Sequence, residues 1–157
     1  MAPKKNYDIN ITLERLKNYC ALEDKSKWHV IQKMKEWGLI KEAQEYIIEV
    51  LIKEKYLDEE RFARSFCRGK FRVKGWGKEK IKNELKKKRI SESCIKKGLQ
   101  EIQDFEYQNE LNKQFQKKNN NTKEVNHFKK KQKIAKYLIS KGYENNMVWN
   151  KLRELKE

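Results

Sequence analysis

The sequence is poor in the residues that interrupt helices. It contains one proline and six glycines among 157 residues. Proline removes a backbone hydrogen bond from a helix interior, and glycine costs about 1 kcal/mol relative to alanine there. Lysine, glutamate, leucine and isoleucine are common, and all four are compatible with helices. The composition therefore predicts an all-α protein.

Apolar residues are also scarce. Hydrophobic residues make up 37% of the chain and charged residues 39%, so one large core is hard to build. Several small bundles, in which each helix needs only a narrow apolar stripe, suit this composition better. No apolar run approaches membrane-spanning length, and residues 1–10 contain lysines without a following apolar stretch. We expect no membrane partner and no signal peptide, and a location in the cytoplasm.

Residues that commonly form catalytic or metal sites are few. His29 and His127 are far apart, and neither has a cysteine or histidine nearby at metal-binding spacing. The cysteines Cys20, Cys67 and Cys94 are odd in number and widely separated, which argues against a disulfide framework. We interpret them as small buried residues. The sequence predicts no cofactor, no metal and no enzyme activity, unless a site is assembled across modules.

The chain carries an internal repeat of about fifty residues. An apolar triplet with the spacing i, i+4, i+9 occurs three times, as Val30–Met34–Leu39, Ile81–Leu85–Ile90 and Ile134–Leu138–Tyr143. Each triplet spans a helix end, where Gly38 and Gly142 are predicted stops and Arg89 takes the equivalent position. Of the twelve aligned positions that follow, one, Gln44, is polar. The pattern predicts a helix, a tight turn and a second amphipathic helix in every unit.

A further helical segment precedes each of these pairs, so each unit has three helices. We predict three tandem three-helix repeats, at 11–55, 56–104 and 105–157, after a flexible tail at 1–10. Asp58 is a candidate N-cap in the second unit, and Asn119–Thr122 is predicted to be a flexible loop in the third. Each repeat is expected to have its own core, and neighbours should stack into an elongated, curved body.

Positive charge is concentrated in two segments. The net charge is +16; residues 61–89 contain thirteen Lys/Arg against two acids, and residues 113–141 contain ten lysines against one acid. Such clusters favour a polyanionic partner. Nucleic acid is the first candidate and an acidic protein surface the second.

The second repeat places its charge in stripes. One helix face carries Arg61, Arg64, Arg68 and Arg72. A comparable stripe on the next helix consists of Lys78, Lys82, Lys86 and Arg89. Like charges at these spacings cost a few tenths of a kcal/mol per pair, which favours a binding surface over an ordinary solvated face. The turn Lys74-Gly75-Trp76-Gly77 lies between the two helices, and its glycines allow close approach of a partner. Trp76 either fills the helix junction or stacks on a base. The predicted binding residues are Arg61, Arg64, Arg68, Lys70, Arg72, Lys74, Trp76, Lys78, Lys82 and Lys86.

The same segment resembles a known family. Tyr56–Ala63, Arg68, Gly75-Trp76-Gly77 and Glu84-Leu85 resemble the second-repeat signature of the RecX family: paired acids, Phe-Ala, a basic stretch, a Gly-aromatic-Gly turn and a Glu-Leu helix. Two positions depart from it, because Lys78 stands where proline often follows the turn and Arg89 where glycine is frequent.

The resemblance implies a regulator of the recombinase RecA that acts in recombination and DNA repair. RecX-like proteins are built of three-helix repeats, bind in the groove of the RecA filament on single-stranded DNA, and suppress ATP hydrolysis and strand exchange. They have no catalytic centre or cofactor. The predicted partners are the RecA filament and single- and double-stranded DNA, with a monomer expected. The alternatives are a RecA-independent nucleic-acid-binding helical protein and a scaffold for another acidic protein.

Overall fold

The computed structural model describes residues 8–155, and this range is all-helical, as predicted. It contains nine α-helices and no β-strand. The helices of the first module are α1 (Ile9–Leu22), α2 (Lys27–Glu36) and α3 (Lys41–Lys53); those of the second are α4 (Glu59–Arg72), α5 (Lys78–Lys87) and α6 (Glu92–Leu99); those of the third are α7 (Asp104–Asn121), α8 (His127–Ser140) and α9 (Asn145–Arg153).

Local sequence signals set most helix ends. The Asp58 side chain accepts a hydrogen bond from the Arg61 N–H at 2.9 Å, which confirms the predicted cap of α4. Gly38 and Gly142 have left-handed backbone, with φ of 74° and 103°, and end α2 and α8 as predicted. Arg89 adopts the same conformation at φ 58° despite its side chain. The second stop is therefore kept, although left-handed backbone is strained for residues other than glycine.

Two predicted segments have different boundaries in the structure. Helix α1 begins at Ile9, inside the segment expected to be a tail, because Asp8 caps it through the Asn10 N–H; residues 1–7 lie outside the described residues. Helix α7 continues to Asn121, so Asn119–Asn121 is not a loop. Asparagine is only a moderately poor helix former, and a helix that is already nucleated extends through it.

The described residues form two hydrophobic cores, and the prediction of three separate cores is wrong. One core is built by α1–α3 with Leu57, and the other is shared by the second and third modules. Aromatic packing joins those two modules: the ring centroids of Phe71 in α4 and Tyr107 in α7 are 5.9 Å apart. Within the third module, the Tyr107 and Tyr143 ring centroids are 5.2 Å apart. The first two members of every apolar triplet are buried as predicted, namely Val30, Met34, Ile81, Leu85, Ile134 and Leu138.

Close backbone contact also explains one glycine of the second module. A Cβ atom added to Gly98 in α6 would lie 2.7 Å from the carbonyl oxygen of Ala63 in α4. The missing side chain at Gly98 therefore lets α6 approach the α4 backbone at Ala63, so the first and last helices of the module pack closely. Gln44, the polar exception in the repeat, bonds to the preceding turn: its side-chain amide donates a hydrogen bond to the Leu39 carbonyl at 2.9 Å.

Candidate nucleic-acid interface

A groove lies between the first and second modules. It has a volume of about 480 Å³ and is bordered by α4, by α5 and by the segment that joins α1 to α2. Lys70, Lys74 and Lys88 line it together with the rings of Phe66 and Trp76. Glu23, Asp24 and Glu84 also border it, so its three lysines are matched by three carboxylates. We call this feature the α4–α5 groove.

Trp76 is partly buried against the shared core and lies between two lysine ammonium groups. The Nζ atoms of Lys70 and Lys80 are 4.9 Å and 4.4 Å from its ring centroid. Phe66 is placed similarly, with the Lys88 Nζ 5.2 Å from its centroid. Ammonium groups over aromatic faces are attracted to the ring electrons. Trp76 thus fills a helix junction, one of its two predicted roles, and its remaining exposed surface faces the groove.

The arginine stripe on α4 has carboxylate partners. Arg61 Nε lies 2.6 Å from Asp24, and Arg64 and Arg68 share Glu101 at 3.3 Å and 3.0 Å. The more distant pair of Arg72 with Glu106 is at 3.9 Å, and Arg64 also contacts Glu60 of its own helix. Like-charge repulsion along α4 is therefore offset within the chain. This weakens the inference of a binding surface from charge spacing alone.

The predicted lysines of α5 lie away from the groove. Lys78 Nζ is 3.8 Å from Asp104 and 4.6 Å from the Tyr107 ring centroid. Lys82 is partly exposed and Lys86 is exposed. Both are two positions from residues that line the groove, Glu84 and Lys88, and such positions point to nearly opposite sides of a helix. Of the ten predicted residues, the groove brings together Lys70, Lys74 and Trp76.

The Gly-Trp-Gly turn contacts the third module. The Gly77 N–H donates to the Lys141 carbonyl at 2.7 Å, and the Glu79 N–H donates to the Gly142 carbonyl at 2.9 Å. The Gly75 carbonyl accepts from the Tyr143 hydroxyl at 3.0 Å. We call these contacts the turn junction, formed by residues 74–79 and 141–143. The prediction that paired glycines admit a partner is corrected, because it is the α8–α9 turn of this chain that approaches.

Close backbone packing and buried hydrogen bonds both stabilise the turn junction. A Cβ atom on Gly77 would overlap backbone atoms of Gly142, so a side chain cannot be accommodated without separating the two turns. The Tyr107 hydroxyl accepts from the Lys78 N–H at 2.9 Å and donates to the Glu144 carboxylate. Burial and the hydrogen bond to Glu144 raise the pKa of Tyr107. The phenol stays protonated and keeps donating at neutral pH.

His29 also lines the α4–α5 groove, on the side of the first module. Its Nδ1 accepts from the Ser26 N–H at 3.1 Å, and its ring packs against Phe62 with centroids 5.5 Å apart. Burial, followed by the nearby charges of Lys88 and Lys25, lowers the His29 pKa. The imidazole is therefore neutral at pH 7. Protonation of Nδ1 would remove the acceptor of the hydrogen bond from the Ser26 N–H, at the start of α2.

Sequence reasoning did not assign His29, Phe66 and Lys88 to the binding surface, although all three line the groove, and it also missed Lys80, which lies over Trp76. The spacing of Lys80, Glu84 and Lys88, four residues apart, marks a second face of α5 that could have been noticed. Phe66 and His29 carried no such signal, because their partners come from other parts of the chain: Lys88 follows α5 and lies over Phe66, and Phe62 of α4 packs against His29. Tertiary contact alone places them at the groove.

The described residues also bear on other kinds of site. No group of three or more His, Cys, Asp or Glu side chains among residues 8–155 is placed to hold a metal ion. No helix in that range is long and apolar enough to cross a membrane. Cys20 and Cys67 are buried as predicted, whereas Cys94 is partly exposed. Burial raises the Cys67 pKa to about 12, so this thiol is protonated at neutral pH.

Comparison with known proteins identifies the second and third modules. The model of the second three-helix domain of RecX matches residues 58–99, and the model of the third matches residues 106–152. The chain belongs to the RecX family. The matched domains contain the α4–α5 helices, the Gly-Trp-Gly turn and the turn that contacts it, so the turn junction joins two RecX domains.

Individual relatives agree with this assignment. The regulatory protein RecX of Prosthecochloris aestuarii is 27% identical over 148 residues, covering 94% of this chain and 95% of that protein. The regulatory protein RecX of Lactobacillus johnsonii is 32% identical over 95 residues, which is 60% of this chain. The match spans 35% of the Lactobacillus johnsonii protein, about a third of its length.

Solved RecX structures share the fold. A crystal structure of regulatory protein RecX superposes with a TM-score of 0.84 at 20% identity, covering 94% of this chain and 73% of that one. The crystal structure of RecX from Lactobacillus salivarius gives a TM-score of 0.80 at 20% identity and covers 94% and 97% of the two chains. The tandem arrangement of three-helix bundles is therefore the RecX fold.

Proposed function

We propose that this chain is a regulator that binds the RecA–single-stranded DNA filament and inhibits RecA ATP hydrolysis and strand exchange. The observation that carries the proposal is the match to the second RecX domain at residues 58–99, the segment that contributes most of the α4–α5 groove. The relatives are regulatory proteins, and this chain's net charge of +16 suits a filament whose surface includes nucleic acid.

Three lysines supply the contact in this proposal: Lys70 and Lys74 line the α4–α5 groove, and the Lys80 ammonium group lies over the ring of Trp76. Lys70, Lys74 and Lys80 form no ion pair within 4.0 Å in the described part of the chain. Their ammonium groups are available to phosphates or carboxylates of the filament, and charge-assisted hydrogen bonds of this kind are stronger than neutral ones. The arginine stripe also contributes, because its arginines can leave their carboxylate partners and bind phosphates instead. Half-exposed ion pairs of this kind contribute only about 0–1 kcal/mol.

Inhibition then follows from preferential binding. A protein that contacts RecA and DNA together slows ATP turnover if it binds one conformational state of the filament more tightly than the others. Contact through several cations is suited to such discrimination, since movement between filament subunits would break some of the contacts. The same contacts would oppose strand exchange, because the bound protein would occupy the groove of the RecA filament in which a second DNA molecule must lie.

The test compares two variants of equal charge change in an assay of DNA-dependent RecA ATPase at one fixed salt concentration. We expect Lys70→Gln/Lys74→Gln/Lys80→Gln to lose most of the inhibition. Arg64→Gln/Arg68→Gln/Arg72→Gln should retain more, because those side chains already have carboxylate partners. Circular dichroism controls for folding. Equal inhibition by the groove variant and the parent would place the filament contact elsewhere, and no inhibition by the parent would refute the proposal.

A second candidate is nucleic-acid binding without RecA, and the clustered lysines favour it. If about five phosphates of duplex DNA are neutralised, log affinity should fall with log salt at a slope near −4 to −5. Salt-dependent DNA binding together with an unchanged RecA ATPase would support this candidate over the regulator.

A further inference from the structure

The hairpin formed by the end of α7 and the start of α8 projects from the shared core. We call residues 116–133 the α7–α8 tip; none of them is buried, whereas Phe115 and Ile134 at its base are. The tip is nevertheless ordered by local bonds. The Asn126 side chain accepts from the Lys129 N–H at 3.0 Å, and the Thr122 hydroxyl donates to the Lys118 carbonyl at 2.6 Å. It is a defined projection that contributes little to the core.

Charge in the α7–α8 tip has little compensation. The tip contains seven lysines, one glutamate and no arginine. Lys133 pairs with Glu124 at 2.8 Å. Within residues 8–155 the other six form no ion pair: Lys117, Lys118, Lys123, Lys129, Lys130 and Lys131. This contrasts with the arginine stripe of α4, whose members all have carboxylate partners.

A cleft runs along the base of the tip between α7 and α8, with a volume of about 510 Å³. Lys118, Lys123 and Lys136 line it together with Tyr137. The Lys118 Nζ lies 4.8 Å from the Tyr137 ring centroid. An ammonium group over an aromatic ring, in a cleft lined by further lysines, provides contacts for an anionic chain with flat bases.

Apolar side chains are exposed on the same projection. Phe128, in the first turn of α8, is 67% exposed, and Val125 in the preceding loop is fully exposed. Exposed phenylalanine is unfavourable in water, and here it is followed directly by three lysines. A ring with a free face beside phosphate-binding cations is the combination used for sequence-tolerant binding of single strands.

We propose that the α7–α8 tip binds a single nucleic-acid strand, with lysine ammonium groups on the phosphates and one base stacked on Phe128. A single strand fits better than a duplex because its bases expose their faces for stacking. Nucleic acid fits better than an acidic protein because its bases supply flat faces for the exposed Phe128 ring as well as anionic groups for the lysines. The inference deepens the proposed function by adding a DNA contact on the third module, but it does not require RecA.

The experiment measures binding of the full chain to a fluorescently labelled oligo(dT) strand by anisotropy, without RecA, over a series of salt concentrations. We expect Lys123→Gln/Lys129→Gln/Lys130→Gln to make the slope of log affinity against log salt shallower by about 2. The matched control Lys35→Gln/Lys41→Gln/Lys53→Gln removes the same charge from exposed positions of the first module and should change it less. Phe128→Ala should weaken binding about 5- to 150-fold, and Phe128→Trp should retain it.

Several results would overturn the proposal. Equal effects of the two triple variants would mean that net charge and not the tip determines binding. An unchanged affinity of Phe128→Ala, or an equal loss on a short duplex, would rule out stacking. Binding to vesicles of anionic lipid that exceeds binding to oligo(dT), and that Phe128→Ala abolishes, would assign the tip to a membrane surface. Because RecA is absent, these outcomes are independent of the ATPase test of the proposed function.

Discussion

Replacement of Gly77 by alanine isolates the turn junction between the second and third modules. The backbone of Gly77 has φ −75°, which alanine adopts readily, so the substitution adds no backbone strain. The added methyl group would overlap the backbone of Gly142, and the two turns must separate. That movement stretches the hydrogen bonds from the Gly77 and Glu79 N–H groups to residues 141 and 142.

The expected loss of stability follows from these contacts. Two backbone hydrogen bonds contribute roughly 0.5–1.5 kcal/mol each. Forced expansion of a packed contact adds about 1–3 kcal/mol. Alanine restricts the unfolded chain and returns about 0.4–1 kcal/mol. We therefore expect Gly77→Ala to lower the free energy of unfolding by roughly 1–6 kcal/mol, and the melting temperature by about 2–24 °C for a chain of this size.

Thermal and urea unfolding followed by circular dichroism measure this loss, and Gly69→Ala is the matched control. Gly69 lies inside α4, and an added Cβ would have no atom within 4 Å. Alanine is the better helix former there, so the control should be stabilised by about 0.5–1 kcal/mol. If Gly77→Ala melts with the parent protein or above it, the turn junction does not contribute to stability and the steric reasoning is refuted.

Three further predictions concern the cores, His29 and the cysteines. Leu85→Ala should lower the free energy of unfolding by roughly 2–5 kcal/mol in urea titrations, since the side chain is fully buried; a loss below about 1 kcal/mol would contradict the core assignment. Because the pKa of His29 is lowered in the folded protein, the unfolded chain takes up a proton at this residue before the folded chain does as the pH falls. The contribution of His29 to stability should therefore be intact above about pH 6.5 and decrease as the pH falls below it. The difference in unfolding free energy between the parent and His29→Gln, compared at pH 7.5 and below pH 6, measures this effect, and a pH-independent difference would argue against it. Iodoacetamide should modify the partly exposed Cys94 before Cys67, whose thiol is buried with a pKa of about 12; mass spectrometry of the native protein would detect the reverse order.

Local patterns in the sequence were sufficient for the helices and their ends. Asp58 caps α4 within one turn of its own position, and Gly38 and Gly142 end helices through their own backbone conformation. The triplets spaced i, i+4, i+9 identified buried positions such as Ile81 and Leu85, because helix periodicity depends on neighbours a few residues away. The family resemblance rested on the same kind of local signature, and the domain matches confirm it.

Tertiary structure decided how the charge and the turn are used. Arg68 finds Glu101 33 positions along the chain, and the Gly75 carbonyl accepts from Tyr143 68 positions away. No spacing rule in one helix predicts such partners, because they depend on how the modules are placed against each other. The same placement merged two expected cores into one. The sequence by itself determined where the helices and the positive charges are; the packing of the modules decided which cations are neutralised within the chain and which remain available to a partner.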